Sequence, residues 1–359
     1  MIRILSTIFL FYFLPNSFGI GKTEQIHIPI VYAIDNNCAM PTIVSMESAI
    51  KNINNSSFYE FIILVRGILK KDIKNLFIKF KHEYNNICSI KIKEIPTEYL
   101  CNILLSIPQI LKEKDKIIYL SHNTLIRHDL KELFNTDINN EYIGGVIDPR
   151  YNKIEVIKKI NKKAKEYVSS GVLLMNCKNL RELQPKIDFL YNKTKENNFY
   201  YSDQDLLNIL CGGKIKILSF KFMRFNRLAN IEKEYSKCEY AKKFYSEEEF
   251  LEGKKDPVII HYMFCEPWVA KTYPQKLYNE WYEIYKTIKN KYNLKELNIQ
   301  HLWEKTMEYY ASSIIFDILL LITFWLVLEI HNPVLTPAFG EEFRKEFFNK
   351  RKYGIPLTD

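Results

Sequence analysis

Regular patterning begins at "IHIPIVYAID" (26–35), where polar and apolar residues alternate and then give way to an apolar run ending at Asp35. That pattern predicts a buried strand with a polar tip. "AMPTIVSMESAIKNI" follows, with Ile43, Met46, Ile50 and Ile53 at helical spacing, then a second apolar strand, "FYEFIILVRGI" (58–68), and an amphipathic helix over "KKDIKNLFIKFKHEY". "CSIKIKEI" (88–95) alternates as a short strand. "TEYLCNILLSIPQILKEK" predicts a helix broken around Pro108, and "DKIIYL" (115–120) a third buried strand. Strand and helix alternating in this way predict an α/β fold, a mostly parallel sheet with helices on both faces. Such sheets bind ligands beyond the carboxyl ends of their strands. Asp35 and Ser121–Asn123 lie at two such ends and so belong to one candidate site.

The second half is less regular. "YIGGVIDP" (142–149), "EYVSSGVLLMN" (166–176) and "PVIIHYMF" (257–264) read as strands, the last leading to His261. "DQDLLNIL" (203–210) opens a helix whose first turn carries two carboxylates and an amide. "WVAKTYPQKLYNEWYEIYKTI" is helical and rich in aromatic residues. No repeat interrupts residues 25–285, which read as one domain.

The ends add an address. Residues 1–19 show a basic start at Arg3, an apolar run from Ile4 to Leu14 and small residues at Ser17 and Gly19, the layout of a secretory signal peptide. An uncleaved membrane anchor fits the same segment. Residues 309–330 are almost wholly apolar and long enough for a transmembrane helix, with Asp317 in the first half where its cost is reduced. A buried or interfacial helix is the other reading. A juxtamembrane helix at 286–308 would precede the span. The tail, 331–359, is basic as a cytosolic flank should be. The expectation is a lumenal domain on the endoplasmic reticulum or Golgi membrane.

Composition limits the partners. The net charge of +9 is spread among scattered lysines, which argues against nucleic acid. Seven cysteines without a CxxC pair argue against a zinc site and leave room for one or two disulfides whose pairing the sequence does not fix.

The segments "VYAIDNN", "IIYLSHNTLIRHDLKELF", "SSGVLLMN", "DQDLLN" and "HYMFCEPW" follow one another in an order that resembles glycosyltransferase family 8 over residues 26–285. The resemblance implies the GT-A fold and retaining transfer of a hexose from a UDP-sugar donor to a glycan or protein acceptor. It also implies Mn²⁺, held by an Asp-x-Asp pair at a strand end and by a histidine. A divalent cation there would neutralise charge developing on the diphosphate. Carried onto this chain, the resemblance makes Asp203 and Gln204 the catalytic candidates. Asp35, Asn37, Ser121, Asn123, Gly171 and Asp205 become nucleotide-sugar contacts, and His261 a metal ligand.

The departures are specific. Ser121 and Asn123 replace the aspartate pair, so both anionic ligands are lost. Cys38 stands where a tyrosine usually stacks on uracil, and Leu104 marks the register of a missing phosphate-binding arginine. The sugar-orienting motif reads Ser169–Ser170–Gly171. The closing motif is one residue short and has Glu266 in place of a lysine, which would repel a diphosphate. Two alternatives to an active enzyme follow. One is an inactive pseudo-glycosyltransferase that binds a glycan or a partner glycosyltransferase. The other is a tethered scaffold with its aromatic segment, 262–285, as an interaction face.

Overall fold

The computed structural model describes residues 25–95, 103–187, 203–225, 235–263, 266–268 and 276–294. The signal-like segment 1–19 and the apolar segment 309–330 lie outside them, with the flanks 286–308 (beyond Leu294) and 331–359. Among the described residues no helix is long and apolar enough to cross a membrane.

The main sheet is built from β1 (Ile26–Ile34), β2 (Ser57–Arg66), β3 (Cys88–Ile95), β4 (Lys116–Leu120), β6 (Ile143–Ile147), β7 (Val168–Asn176) and β8 (Ile215–Ile217), in the order β3-β2-β1-β4-β7-β6-β8. The pairs β3-β2, β2-β1 and β1-β4 are parallel, as the apolar runs of β1, β2 and β4 suggest for strands covered on both faces. β7 runs antiparallel to both β4 and β6, so the sheet is mixed. Periodicity cannot foresee this, because a strand buried on both faces looks the same in either direction.

A second sheet went unseen in the sequence. It joins β5 (Thr124–Ile126), β10 (Ile259–His261) and β9 (Arg224–Phe225) in the order β5-β10-β9. β5 starts four residues after β4 ends, and β10 lies antiparallel to it with His261 opposite Thr124. Helix α1 (Ala39–Lys51) holds β5 in place. Its apolar residues face the core, yet its polar ones are buried too, including Thr42, Ser45, Glu47 and Ser48. The Ser45 hydroxyl lies 2.9 Å from both the Tyr32 and Thr124 hydroxyls. The Ile126 amide donates to the Ser48 hydroxyl at 2.9 Å, and the Asn52 amide group donates to the Ile126 carbonyl at 3.1 Å. Buried hydroxyls are tolerated because each finds a partner, and here the partner is the strand that must be positioned.

The helix Lys276–Lys291 closes the domain. Trp281 is 1% exposed and stacks on Tyr285, and Trp268 sits 5.2 Å from it, ring centre to ring centre. Tyr262, Tyr278 and Tyr285 are also buried. At its end Lys291 pairs with Glu83 and donates to the Tyr84 hydroxyl, whose own proton goes to the buried Glu47. The described aromatic residues of segment 262–285 are therefore largely internal packing, which corrects the reading of that segment as an exposed face: burying such rings is worth more than displaying them.

Candidate functional site

The carboxyl ends of β1, β2, β4 and β6 open on one side of the sheet, and the amino end of β7 joins them because that strand is reversed. Beyond β1, the Asp35 carboxylate turns back on its own loop and accepts from the Asn37 and Cys38 amides at 2.8 and 3.0 Å. Asn37 is exposed. Cys38 is pushed up to about 12 by burial and by Asp35, so it is a neutral thiol.

Beyond β4, Ser121 donates its amide to the Gly171 carbonyl at 2.9 Å. Asn123, 9% exposed, lies opposite His261 because β5 pairs with β10. The Asn123 amide group donates to the Tyr262 carbonyl at 3.1 Å, which leaves its Oδ1 facing His261 Nε2, also at 3.1 Å. That assignment puts the imidazole proton on Nε2. His261 Nδ1 is buried and has no hydrogen-bond partner among the described residues. Burial pushes His261 down to about 4, against the pull of the Asp148 carboxylate, so the ring is neutral.

Gly171 makes this possible. A Cβ on it would lie 2.3 Å from His261 Cε1 and 2.6 Å from Nε2, so the imidazole occupies the space a side chain would need. His122, between Ser121 and Asn123, is half-buried with its ring 6.0 Å from that of Trp268. Burial lowers it to about 4, with Asp35 opposing.

The sugar-side segment builds a second network. The Gln204 carbonyl accepts from the Ser170 amide at 3.0 Å and lies 3.2 Å from its hydroxyl. The Gln204 amide nitrogen donates to Asp148 Oδ2 at 2.9 Å. Asp148, fully buried at the end of β6, also receives the Arg150 backbone amide and guanidinium. Asp148 and Arg150 were missed by the sequence reading, although "VIDP" is a strand ending in a carboxylate just as "YAID" is. Asp203 starts the helix Asp203–Cys211, and burial raises its carboxyl while Arg66 opposes. Asp205 takes the Tyr167 hydroxyl at 2.5 Å, beside a satellite cluster of Ile154, Ile157, Ala164 and Ile209.

Ser121, Asn123, Gly171 and His261 thus meet directly. Gln204 joins them through Ser170, and Asp148 is an electrostatic neighbour of His261. The donor set does not fit a Mn²⁺-type ion. Such ions prefer carboxylate oxygens, and this corner offers a hydroxyl, an amide turned toward the imidazole, and a histidine nitrogen that carries its proton. Among the described residues no group of three or more His, Cys, Asp or Glu side chains converges as ligands would.

A roomy concavity of about 850 Å³ opens elsewhere, lined by residues such as Asn54, Arg127, Asp129, Lys221 and Asp256. It lies toward the amino ends of β1 and β2. Its Arg127 is already paired with Asp256 and Glu280, and Lys221 with Glu132. Size aside, it lies away from the carboxyl ends of the strands, where such folds bind ligands.

The sheet order, with one strand reversed beside the central four, is that of a GT-A-type α/β domain. The family model for glycosyl transferase family 8 matches residues 29–272, and the chain belongs to that family. A Haemophilus influenzae protein provisionally named as a glycosyltransferase is 30% identical over 207 residues, 54% of this chain. The chain spans 62% of that relative's length. The galactosyltransferase LgtC in complex with donor and acceptor sugar analogues matches with a TM-score of 0.59 at 20% identity, over 72% of this chain and 96% of LgtC. The bifunctional glycosyltransferase WbbM matches with a TM-score of 0.59 at 17% identity, over 77% of this chain and 51% of WbbM. At these identities the two structures speak for the fold.

Two outcomes test the site's geometry. Gly171→Ala should drive the imidazole from its seat and cost about 1–3 kcal/mol of stability in denaturant titration; an unchanged midpoint would contradict the packing. His122 and His261 are held neutral in the fold and take a proton near 6.5 when unfolded. Their contribution is complete above about pH 6.5 and is lost as pH falls from there toward about 4. The stability slope in that window should lessen by about one proton in His122→Asn; an unaltered slope would contradict it.

Proposed function

We propose that the domain binds a UDP-sugar across the carboxyl ends of β1, β2 and β4 and transfers its hexose, with retention, to a glycan or protein acceptor without a divalent cation. The observation that carries this reading is the pinned Gln204 beside Gly171. An amide fixed at both ends by Ser170 and Asp148 is a preorganised polar group at the strand ends where such folds bind ligands. In the reaction, the bond from sugar C1 to the β-phosphate oxygen breaks. An acceptor oxygen bonds to C1 on the same face, and the acceptor's proton leaves with the diphosphate. Asp203 and Gln204 serve the reacting sugar. Asp35, Asn37, Ser121, Asn123, Gly171 and Asp205 shape its binding, some by direct contact and some by holding the loops. His261 is a packed, neutral member of the wall rather than a metal ligand.

Glu266 bears on the diphosphate. Burial raises its carboxyl, which weakens the repulsion a charged glutamate would exert. A second reading keeps the binding and drops the chemistry: a pseudo-glycosyltransferase that holds a glycan or a partner glycosyltransferase, favoured by the missing carboxylate pair. The apolar end segments favour a lumenal domain at the endoplasmic reticulum or Golgi membrane, and protease protection of intact microsomes tests that placement.

UDP should raise the melting temperature of the full chain by the same amount with Mn²⁺ or with EDTA. In the active reading, Gln204→Ala should lower turnover with a UDP-hexose about 10²–10³-fold. Stabilisation that requires Mn²⁺ would overturn the metal-free mode. Binding without any turnover would leave only the pseudoenzyme.

A further inference from the structure

Five arginines fall among the described residues, and four are committed. Arg127 pairs with Asp256 and Glu280, Arg150 with Asp148, and Arg181 with Asp115, while Arg224 donates to the Lys254 carbonyl. Arg66 is different. It ends β2, is exposed, and its side chain makes no hydrogen bond or ion pair with any described residue. Its charge is nonetheless felt by Cys38 beyond β1, by Tyr119 near the end of β4, and by Asp203 at the start of its helix. The end of β2 sets Arg66 at the carboxyl edge of the sheet, and the influence of its charge on three separate elements agrees with that placement. β2 pairs with β1 through Val65, opposite Ile34, so Arg66 stands level with Asp35.

The same edge lacks an anionic metal corner and has a glutamate where the family has a lysine. A diphosphate entering there would meet little positive charge from those positions. A planar guanidinium with five N–H donors suits phosphate oxygens and needs no metal bridge.

We infer that Arg66 is the cationic contact for the diphosphate of the donor, replacing by a side chain on β2 the charge that a metal ion would supply. The inference deepens the nucleotide-sugar reading and rests on it. The site selects nucleoside diphosphates over nucleosides, and does so in EDTA.

The test is calorimetric titration of the full-length chain with UDP, uridine and inorganic pyrophosphate, all in EDTA, on wild type, Arg66→Ala and Arg66→Lys. Wild type should bind UDP more tightly than uridine. Arg66→Ala should weaken UDP and pyrophosphate roughly ten- to a hundred-fold and leave uridine within about two-fold, since a charged hydrogen-bonding group is lost. Arg66→Lys should recover part of the loss, because it restores the charge without the fork. UDP affinity unchanged in Arg66→Ala would overturn the assignment and leave the nucleotide reading standing. Equal losses for UDP and uridine would overturn it too, marking a contact to the nucleoside or a general disturbance of the fold. If wild type bound none of the three probes, the nucleotide reading would itself fall and the assignment with it.

Discussion

The hydrogen bond between Asn123 and His261 is the constraint on which the site depends. It ties the tip of a main-sheet strand to a strand of the second sheet, 138 residues further along the chain. Three arrangements make it possible. Hydroxyls of α1 fix β5, the β5-β10 pairing fixes the register of His261, and the bare face of Gly171 receives the ring. Remove any of these and the carboxyl ends of β4 and β10 no longer share a wall. A buried, neutral, singly donating imidazole is stable there because its one proton has a partner; the other nitrogen goes without, at a cost of the order of 1–3 kcal/mol that surrounding packing offsets.

The same bond decides the electrostatics. A carboxylate at Asn123 would attract a cation or charge the histidine, and an amide does neither. The corner has become part of the protein's packing, so charge compensation for an anionic ligand must come from elsewhere along the strand ends. Gln204 and Ser170 supply oriented dipoles, and in the proposed reading Arg66 supplies charge. Exchanging a bound ion for a fixed side chain removes the dependence of binding on metal concentration. It also removes a charge that could sit between two phosphates at once.

Much of this was legible in the sequence. β1, β2 and β4 were visible as apolar runs, because strands covered on both faces have no polar side, and β3 was visible by its alternation. The facing of Ser121–Asn123 and His261 came from the family resemblance alone; nothing in local pattern brings together residues so far apart. Other features were not legible for definite reasons. β5 and β9 are too short to show a period. The reversal of β7 leaves no trace in hydrophobicity. In α1 the helical spacing of apolar residues gave no sign that its serines are buried as well, as the hydrogen-bonding side of the helix. Asp148 was hidden by an ordinary strand end, and Arg66 by the absence of any motif around it.

The central claim is that His261 is a neutral wall residue with its proton on Nε2. The direct measurement is a long-range nitrogen–proton NMR spectrum of the ¹⁵N-histidine-labelled full chain, followed through pH and on adding Mn²⁺. The claim predicts an Nε2-protonated ring that stays neutral from pH 7 down to well below its ordinary value of 6.5, with no selective broadening by the ion. Titration near 6.5, or broadening of the His261 signals by substoichiometric Mn²⁺, would contradict it and restore this corner as a metal site.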